Sequence, residues 1–302
     1  MARRTRGRPI DGLFLLDKPK GLTSNQALQR AKWLFDARKA GHTGSLDPLA
    51  TGLLPLCFGH GTKVSAFLLD ADKTYEVQAR FGERTDTADA DGVVVENGGR
   101  MPTASDLEAG MATLTGPIEQ IPPMYSALKK DGKRLYELAR LGQKVERAAR
   151  PVTIHRFELL GVDQRRASFR VRCSKGTYIR SLIEDLASAV GTIAHVGELR
   201  RTGVGPFGDH PMRTLDDLSA RRGDAGPEVL DNLLLPVDTA LLDWPAVTLP
   251  ANAAHFYANG QAVHSSDCPA NGDVRTYDQQ GRFLGIGRAV GDGRIAPKRL
   301  FC

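Results

Sequence analysis

The sequence predicts an α+β protein in which a large mixed domain is followed by a small β domain, and three patterns carry that reading. Two segments, 73–81 (KTYEVQARF) and 168–173 (SFRVRC), alternate apolar and polar residues with period two, as half-buried strands do. Three other segments repeat apolar residues at helical spacing. From about residue 250 short apolar runs are broken by Asn271-Gly272, Gln280-Gly281 and Asp292-Gly293, dipeptides that favour tight turns.

In chain order, GLFLLDKPKGL reads as a strand and a turn. Thr23 and Gln26 then have capping-box spacing, and Ala27, Leu28, Ala31, Leu34 and Phe35 mark one helical face, so a helix delivers the chain to Gly41. Within 73–81, Tyr75, Val77, Ala79 and Phe81 share a face. Ser105 and Glu108 match a second capping box, with Leu107, Met111 and Leu114 as the stripe behind it. The two prolines of IPPMYSALKK open an excursion from the core. Beyond the strand at 168–173, Ile179, Leu182, Ile183, Leu186, Ala187 and Val190 recur at helical spacing up to Gly191, a natural stop. The junction KGTYIR lies where a scaffold can aim side chains into a cleft, which makes Lys175, Tyr178 and Arg180 candidates. A Gly-, Pro- and charge-rich linker is expected between Arg221 and Pro250, dividing the chain into 1–245 and 246–302.

A chain of 302 residues with 41% hydrophobic and 25% charged residues can bury a full core, which excludes wholesale disorder. It has no run of about 18 apolar residues, and MARRTRGRPIDG lacks the apolar stretch of a signal peptide, so a cytoplasmic location is expected. Cys57, Cys173, Cys268 and Cys302 are too far apart for a zinc knuckle or redox pair. The formal charge is +6, and residues 129–156 alone hold nine Lys or Arg against three Asp or Glu. That segment, and Arg3, Arg4, Arg6 and Arg8, fit either a nucleic-acid contact or a solvated face.

The densest oddity is GHTGSLDPLATG at 41–52. Its glycines permit positive φ and close backbone approach, while Pro48 biases Asp47 toward an extended conformation, so the carboxylate sits on a rigid loop. Asp47 also fits an Asx turn or the N-cap of a helix carrying Leu49, Leu53 and Leu54. His42, taken alone, fits an ordinary hydrogen-bonded histidine. No G-x-x-x-x-G-K-[ST], H-E-x-x-H or G-x-S-x-G occurs, so phosphate-loop, zincin and serine-esterase machinery is missing and the chemistry falls to ordinary side chains.

GHTGSLDPLATGLLPLCFG, with DKPKGLTS, DKTYEVQARFGERTDTADADG, IPPMYSALKKDGKRLYELAR, CSKGTYIRSLIEDL, HVGELRRTGVGPF and GRIAPKRL, closely resembles the bacterial TruB family of tRNA pseudouridine-55 synthases. The resemblance runs through nearly the whole chain. It implies a catalytic domain built on a mixed, mainly antiparallel sheet flanked by helices, with a basic insertion at about 121–152, and a C-terminal PUA-like β-barrel. It implies an isomerase that detaches a uracil from C1′, rotates it and rejoins it through C5, with no cofactor, metal or energy source.

In that family Asp47 corresponds to the nucleophilic aspartate, which can attack C1′, add to C6 or start an elimination at C2′. Arg180 is the cation that faces it. Tyr75 stacks on the base and assists proton removal, His42 fills the gap left by the flipped base, and Tyr178 and Leu199 contact the uridine. Lys18 packs near the site, in a structural or a functional role. Lys129, Lys130, Lys133 and Arg134 would contact RNA phosphates. The implied partner is the T arm of tRNA, without a membrane or an obligatory protein partner, the chain acting as a monomer. A tRNA-folding chaperone role on the same surface is a second expectation. A catalytic subunit of an RNA-guided particle is a third, which the bacterial look of the insertion and C-terminal domain disfavours.

Overall fold

The computed structural model describes residues 7–301 apart from 127, 131, 144 and 209, so Arg3, Arg4 and Arg6 lie outside the described residues, as do the side chains of Lys129, Lys130, Arg134, Tyr136 and Arg140. The chain begins with β1 (Gly12–Lys18), α1 (Ser24–Leu34), β2 (Ala40–His42), β3 (Thr51–Phe58), α2 (Ser65–Asp70) and β4 (Lys73–Phe81). A hairpin of β5 (Glu83–Thr85) and β6 (Val94–Asn97) precedes α3 (Ala104–Thr113) and β7 (Gly116–Gln120). The basic segment folds as β8 (Lys129–Lys130), β9 (Lys133–Arg134) and α4 (Leu135–Arg140). Next come β10 (Arg150–Asp163), β11 (Arg166–Cys173), α5 (Ile179–Ala189), β12 (Ala194–Val204) and α6 (Leu215–Arg222). The C-terminal part holds β13 (Ala246–Thr248), α7 (Ala251–Ala258), β14 (Val263–His264), β15 (Asp273–Tyr277), β16 (Phe283–Ala289) and β17 (Arg294–Leu300).

The central sheet runs β1-β3-β12-β4-β11-β10-β7, with β2 paired on β3. Its pairings are antiparallel except β3 with β12, which is the mixed, mainly antiparallel sheet expected. Strand β1 reads as a continuous apolar run because both its faces are covered. Phe14 and Leu16 join the core shared with α1, α5 and α6, whereas Leu13 and Leu15 pack with Val64, Leu68 and Phe207 on the opposite side. Strand β4 alternates as read, with Val77, Ala79 and Phe81 buried.

Helix α1 has the Thr23/Gln26 capping box read from the sequence. The second box is displaced: Thr103 caps α3 and Asp106 closes the box, two residues before Ser105 and Glu108. The same spacing occurs twice in TASDLE, and the upstream pair starts the helix so that Leu107 and Met111 face the core.

The stretch read as a linker is packed structure. Turns of 3-10 helix at Pro227–Leu233 and Val237–Leu241 bury Leu230 and Leu241, and Leu235 exchanges both backbone hydrogen bonds with Leu13 of β1, at 2.9 and 2.8 Å. Arg8, from the N-terminal basic cluster, pairs with Asp231 of this strap and with Glu228 at 3.5 Å, so its charge is spent inside the fold. The C-terminal strands form a separate sheet, β13-β15-β16-β17-β14, around Val247, Leu249, Tyr257, Val274, Leu284 and Ile295. Ile286 faces the other way and joins the cluster of Leu13 and Leu15, which docks this sheet on the back of the central one. Helix α7 is an addition to the all-β expectation for this part.

Candidate active site

Asp47 lies in the loop between β2 and β3. Strand β3, not a helix, follows Pro48, so the helix N-cap reading of Asp47 falls away. The Asp47 carbonyl accepts from Ala50 N–H at 3.1 Å, and the Pro48 carbonyl accepts from Gly21 N–H at 2.7 Å. The Ser24 hydroxyl, buried at the start of α1, accepts from Leu46 N–H at 2.7 Å and donates to the Leu46 carbonyl at 3.1 Å. Leu46, Leu49 and Ala50 point into the core. A loop tied at both ends and anchored by apolar side chains holds its aspartate in one place.

Gly52 explains the last glycine of the motif. Its φ is +95°, and a Cβ there would collide with the Arg201 carbonyl of β12. The close approach is part of a row across the sheet, in which Lys18, Gly52, Arg201, Tyr75 and Val171 are successive partners on β1, β3, β12, β4 and β11. Two buried cations from this row hold the loop from beneath. Lys18, 0% exposed, donates to the carbonyls of Ala50 at 2.7 Å and Pro19 at 2.9 Å. Burial lowers its pKa to about 8, against the pull of Asp47. Arg201, 1% exposed, donates through Nε to the Leu53 carbonyl at 2.7 Å and through Nη2 to the Gly44 carbonyl at 3.2 Å.

Helix α5 brings the facing cation. Arg180, in its first turn, is 4% exposed and reaches Asp47 Oδ2 at 2.9 Å and Asp89 Oδ2 at 3.4 Å. It also donates to the carbonyls of Thr87 at 2.9 Å and Tyr125 at 2.7 Å. The two carboxylates differ in setting. Asp89 is buried and accepts from the Thr87 hydroxyl at 2.7 Å and Asp91 N–H at 3.1 Å, so it orients the guanidinium. The Asp47 side chain keeps 45% of its surface open. The surrounding protein still desolvates it enough to raise its pKa above the usual carboxylate value, with Arg180 pulling the other way. The result is a carboxylate with one face on a cation and the other free for a reacting group.

Of the remaining candidates, Tyr75 and Tyr178 both feel the Asp47 charge. Tyr75 is half-buried, and burial raises its pKa while the Arg201 charge opposes the rise. Tyr178 caps the N-terminus of α5; its N–H donates to Gln120 Oε1 at 2.7 Å and its carbonyl accepts from Gln120 Nε2 at 3.1 Å. His42 ends β2 with its Nδ1 buried and unpartnered, and burial, then the Arg201 charge, lowers its pKa. Leu199 is buried on β12 opposite Val77, and with Lys20, Leu49, Thr51 and Arg200 it lines a cavity of about 370 Å³. Neither Asp47 nor Arg180 lines that cavity or two larger clefts of about 570 and 620 Å³. Lys175 is spent on a surface pair with Asp70 at 2.9 Å and stays out of the site. Lys133 is exposed in the β8–β9 hairpin, where Lys129–Lys130 pairs with Lys133–Arg134.

Asp89, Arg201 and Gln120 went unassigned in the sequence reading. For Arg201 a signal existed, since period-two alternation from Leu199 turns it to the same buried face. For Asp89 none did, because TDTADADG offers Asp86, Asp89 and Asp91 alike, and only the tertiary fold buries the middle one.

A family model for the TruB family pseudouridylate synthase N-terminal domain matches residues 32–179. A tRNA pseudouridylate synthase B C-terminal domain matches 180–242, and a pseudouridine synthase II TruB C-terminal model matches 245–301. The tRNA pseudouridine synthase B of Pseudomonas putida (strain GB-1) is 54% identical over 97% of this chain and 96% of its own length. That of Pseudomonas aeruginosa (strain UCBPP-PA14) is 52% identical over the same shares. Among solved structures, a chain in the crystal structure of a Cbf5-Nop10-Gar1 complex superposes with a TM-score of 0.73 at 26% identity, covering 96% of this chain and 85% of that one. With all three models in order and half the residues identical end to end, this chain belongs to the TruB family of pseudouridylate synthases.

Proposed function

We propose that this chain isomerises the uridine at position 55 of the tRNA T loop to pseudouridine, with Asp47 as nucleophile. The observation that carries the assignment is the Asp47–Arg180 pair, 2.9 Å apart with the carboxylate half open and the guanidinium buried. A binding-only protein has no need of such a pair. The isomerisation breaks N1–C1′, turns the uracil and forms C5–C1′, with the C5 proton leaving and N1 gaining one. It is redox-neutral, and the steps fall to a carboxylate and a proton acceptor.

The other residues supply the geometry. A base inside a folded loop has to be extruded, at a cost of a few kcal/mol that stacking and hydrogen bonding offset. Tyr75 is the stacking platform, Tyr178 and Leu199 shape the base pocket, and His42, with a neutral ring and a free nitrogen, replaces the extruded base. Lys18 acts through the loop, since its amine is already satisfied by backbone carbonyls. Lys129, Lys130, Lys133 and Arg134 give sequence-independent phosphate contacts from the insertion at about 121–152, and residues 246–302 form a PUA-like module against the RNA. The chain works as a monomer in the cytoplasm without a protein partner.

The test is release of tritium from tRNA labelled at uridine C5, which accompanies each turnover. The purified protein should release one equivalent per tRNA and its Asp47→Asn variant none. Release by the variant equal to the parent's would remove Asp47 from the mechanism.

A further inference from the structure

The guanidinium of Arg201 is the largest fully buried side chain described, and among the described residues it has no carboxylate within ion-pair distance. A buried charge without a counter-ion is expensive, so its retention needs a reason. Its partners are informative: they are the carbonyls of Gly44 and Leu53, which bracket the loop that carries Asp47, and Tyr75 stands opposite on the paired strand.

We propose that Arg201 is a positioning residue for the isomerisation: it clamps the Asp47 loop to β12 and presents a fixed positive charge to Tyr75 and His42. The inference rests on the function proposed above. The clamp works by geometry. One planar fork spans the two ends of a loop whose glycines, Gly44 at φ +80° and Gly52 at φ +95°, leave room for it, and side chains at these positions would be strained. The Cβ position of Gly44 lies 3.5 Å from Arg201 Nη1, so the guanidinium lies directly under the turn.

The charge works by field. The titratable groups that feel it are Lys18 from β1, His42 from β2, and Lys73 and Tyr75 from β4. It opposes protonation of the lysines and of His42, and it favours the phenolate of Tyr75. Asp47 balances it from the loop at Lys18 and Tyr75. A cation fixed by backbone carbonyls keeps its charge throughout the reaction. The imidazole next to it therefore stays neutral when it enters the stack, and the rise that burial gives the Tyr75 pKa is partly offset.

The test uses Arg201→Met, which keeps bulk and removes the charge, and Arg201→Lys, which keeps the charge and removes the fork. Three quantities are measured on the whole protein: the His42 titration by NMR, assigned by its loss in His42→Gln; the single-turnover rate at saturating tRNA; and tRNA affinity. In the methionine variant His42 should titrate at higher pH, and the rate should fall on the order of 100-fold, the scale of a misplaced reacting group, with affinity little changed. The lysine variant should return the His42 titration to the parental position while recovering only part of the rate.

A methionine variant with parental His42 titration and parental rate overturns the proposal, as does one whose melting temperature alone changes. Should that variant fail to fold, a lysine variant with the full parental rate overturns the clamp. Failure of the functional reading is separate: the parent itself would then form no pseudouridine, while the His42 titration would still report the field.

Discussion

Replacing Arg180 with methionine isolates the cation from which the site is built. In the structure its guanidinium donates to two carbonyls, at 2.9 and 2.7 Å, and faces two carboxylates. Removing one partner of a buried ion pair costs about 3–5 kcal/mol. Asp89 keeps its bonds from the Thr87 hydroxyl and Asp91 N–H, and Asp47 is half open to water, so the lower end of that range applies. At roughly 2–4 °C per kcal/mol for a chain of this size, the melting temperature should fall by about 6–12 °C. The protein stays folded at 25 °C, because total stabilities of about 5–15 kcal/mol exceed the loss. Losing a charge-assisted hydrogen bond to the reacting carboxylate, worth about 1.5–3 kcal/mol, should slow the chemical step roughly 10- to 150-fold. Scanning calorimetry and single-turnover kinetics at saturating tRNA read the two effects, and Arg180→Lys should recover part of the rate because an ammonium cannot fork between two carboxylates. A methionine variant with the parental melting temperature and rate would refute the role given to this residue.

Four further expectations follow from the same geometry. Asp47→Asn should abolish turnover yet bind tRNA within about tenfold of the parent, since phosphate contacts dominate affinity; because the folded Asp47 pKa is raised, the ionised group weakens the fold as pH rises above 3.8 through the folded value, so calorimetry at pH 7 should show the variant melting no lower than the parent. By the same sign, the parental rate should fall on acidification through a pKa above 3.8, seen in the pH profile of single-turnover rates. Changing Lys129, Lys130, Lys133 and Arg134 together to alanine should weaken binding and flatten its dependence on salt, with the chemical step unchanged at saturating RNA; an unchanged salt slope in filter binding would remove them from the interface. Gly52→Ala, which places a Cβ against the Arg201 carbonyl at a positive φ, should cost at least about 2 kcal/mol in denaturant melts and slow the reaction by shifting the loop.

How much of this was legible beforehand depends on how local the cause is. The Thr23/Gln26 box and the alternation of Val77, Ala79 and Phe81 are settled within a few residues, and both were readable. The start of α3 was misplaced because two equivalent spacings overlap and core packing of Leu107 and Met111 chooses between them. The strap at 227–241 looked like a linker because its pairing partner, Leu13, is more than two hundred residues away in sequence. The same distance effect governs the site. Asp47, Tyr75, Tyr178 and Arg180 came from motifs that resemble a known family, whereas the burial of Asp89 and the unpaired charge of Arg201 exist only after β4, β12 and the β5–β6 hairpin have assembled.

Acting alone through Asp47, this chain should form pseudouridine in the T loop. The direct measurement is to incubate the purified protein with unmodified tRNA in the presence of EDTA and no nucleotide, then map pseudouridine by carbodiimide-blocked primer extension. One strong stop, reporting position 55, is expected with the parent and should be missing with Asp47→Asn. A parent reaction without that stop on correctly folded tRNA would rule out the activity, and an Asp47→Asn reaction with it would rule out Asp47 as the nucleophile.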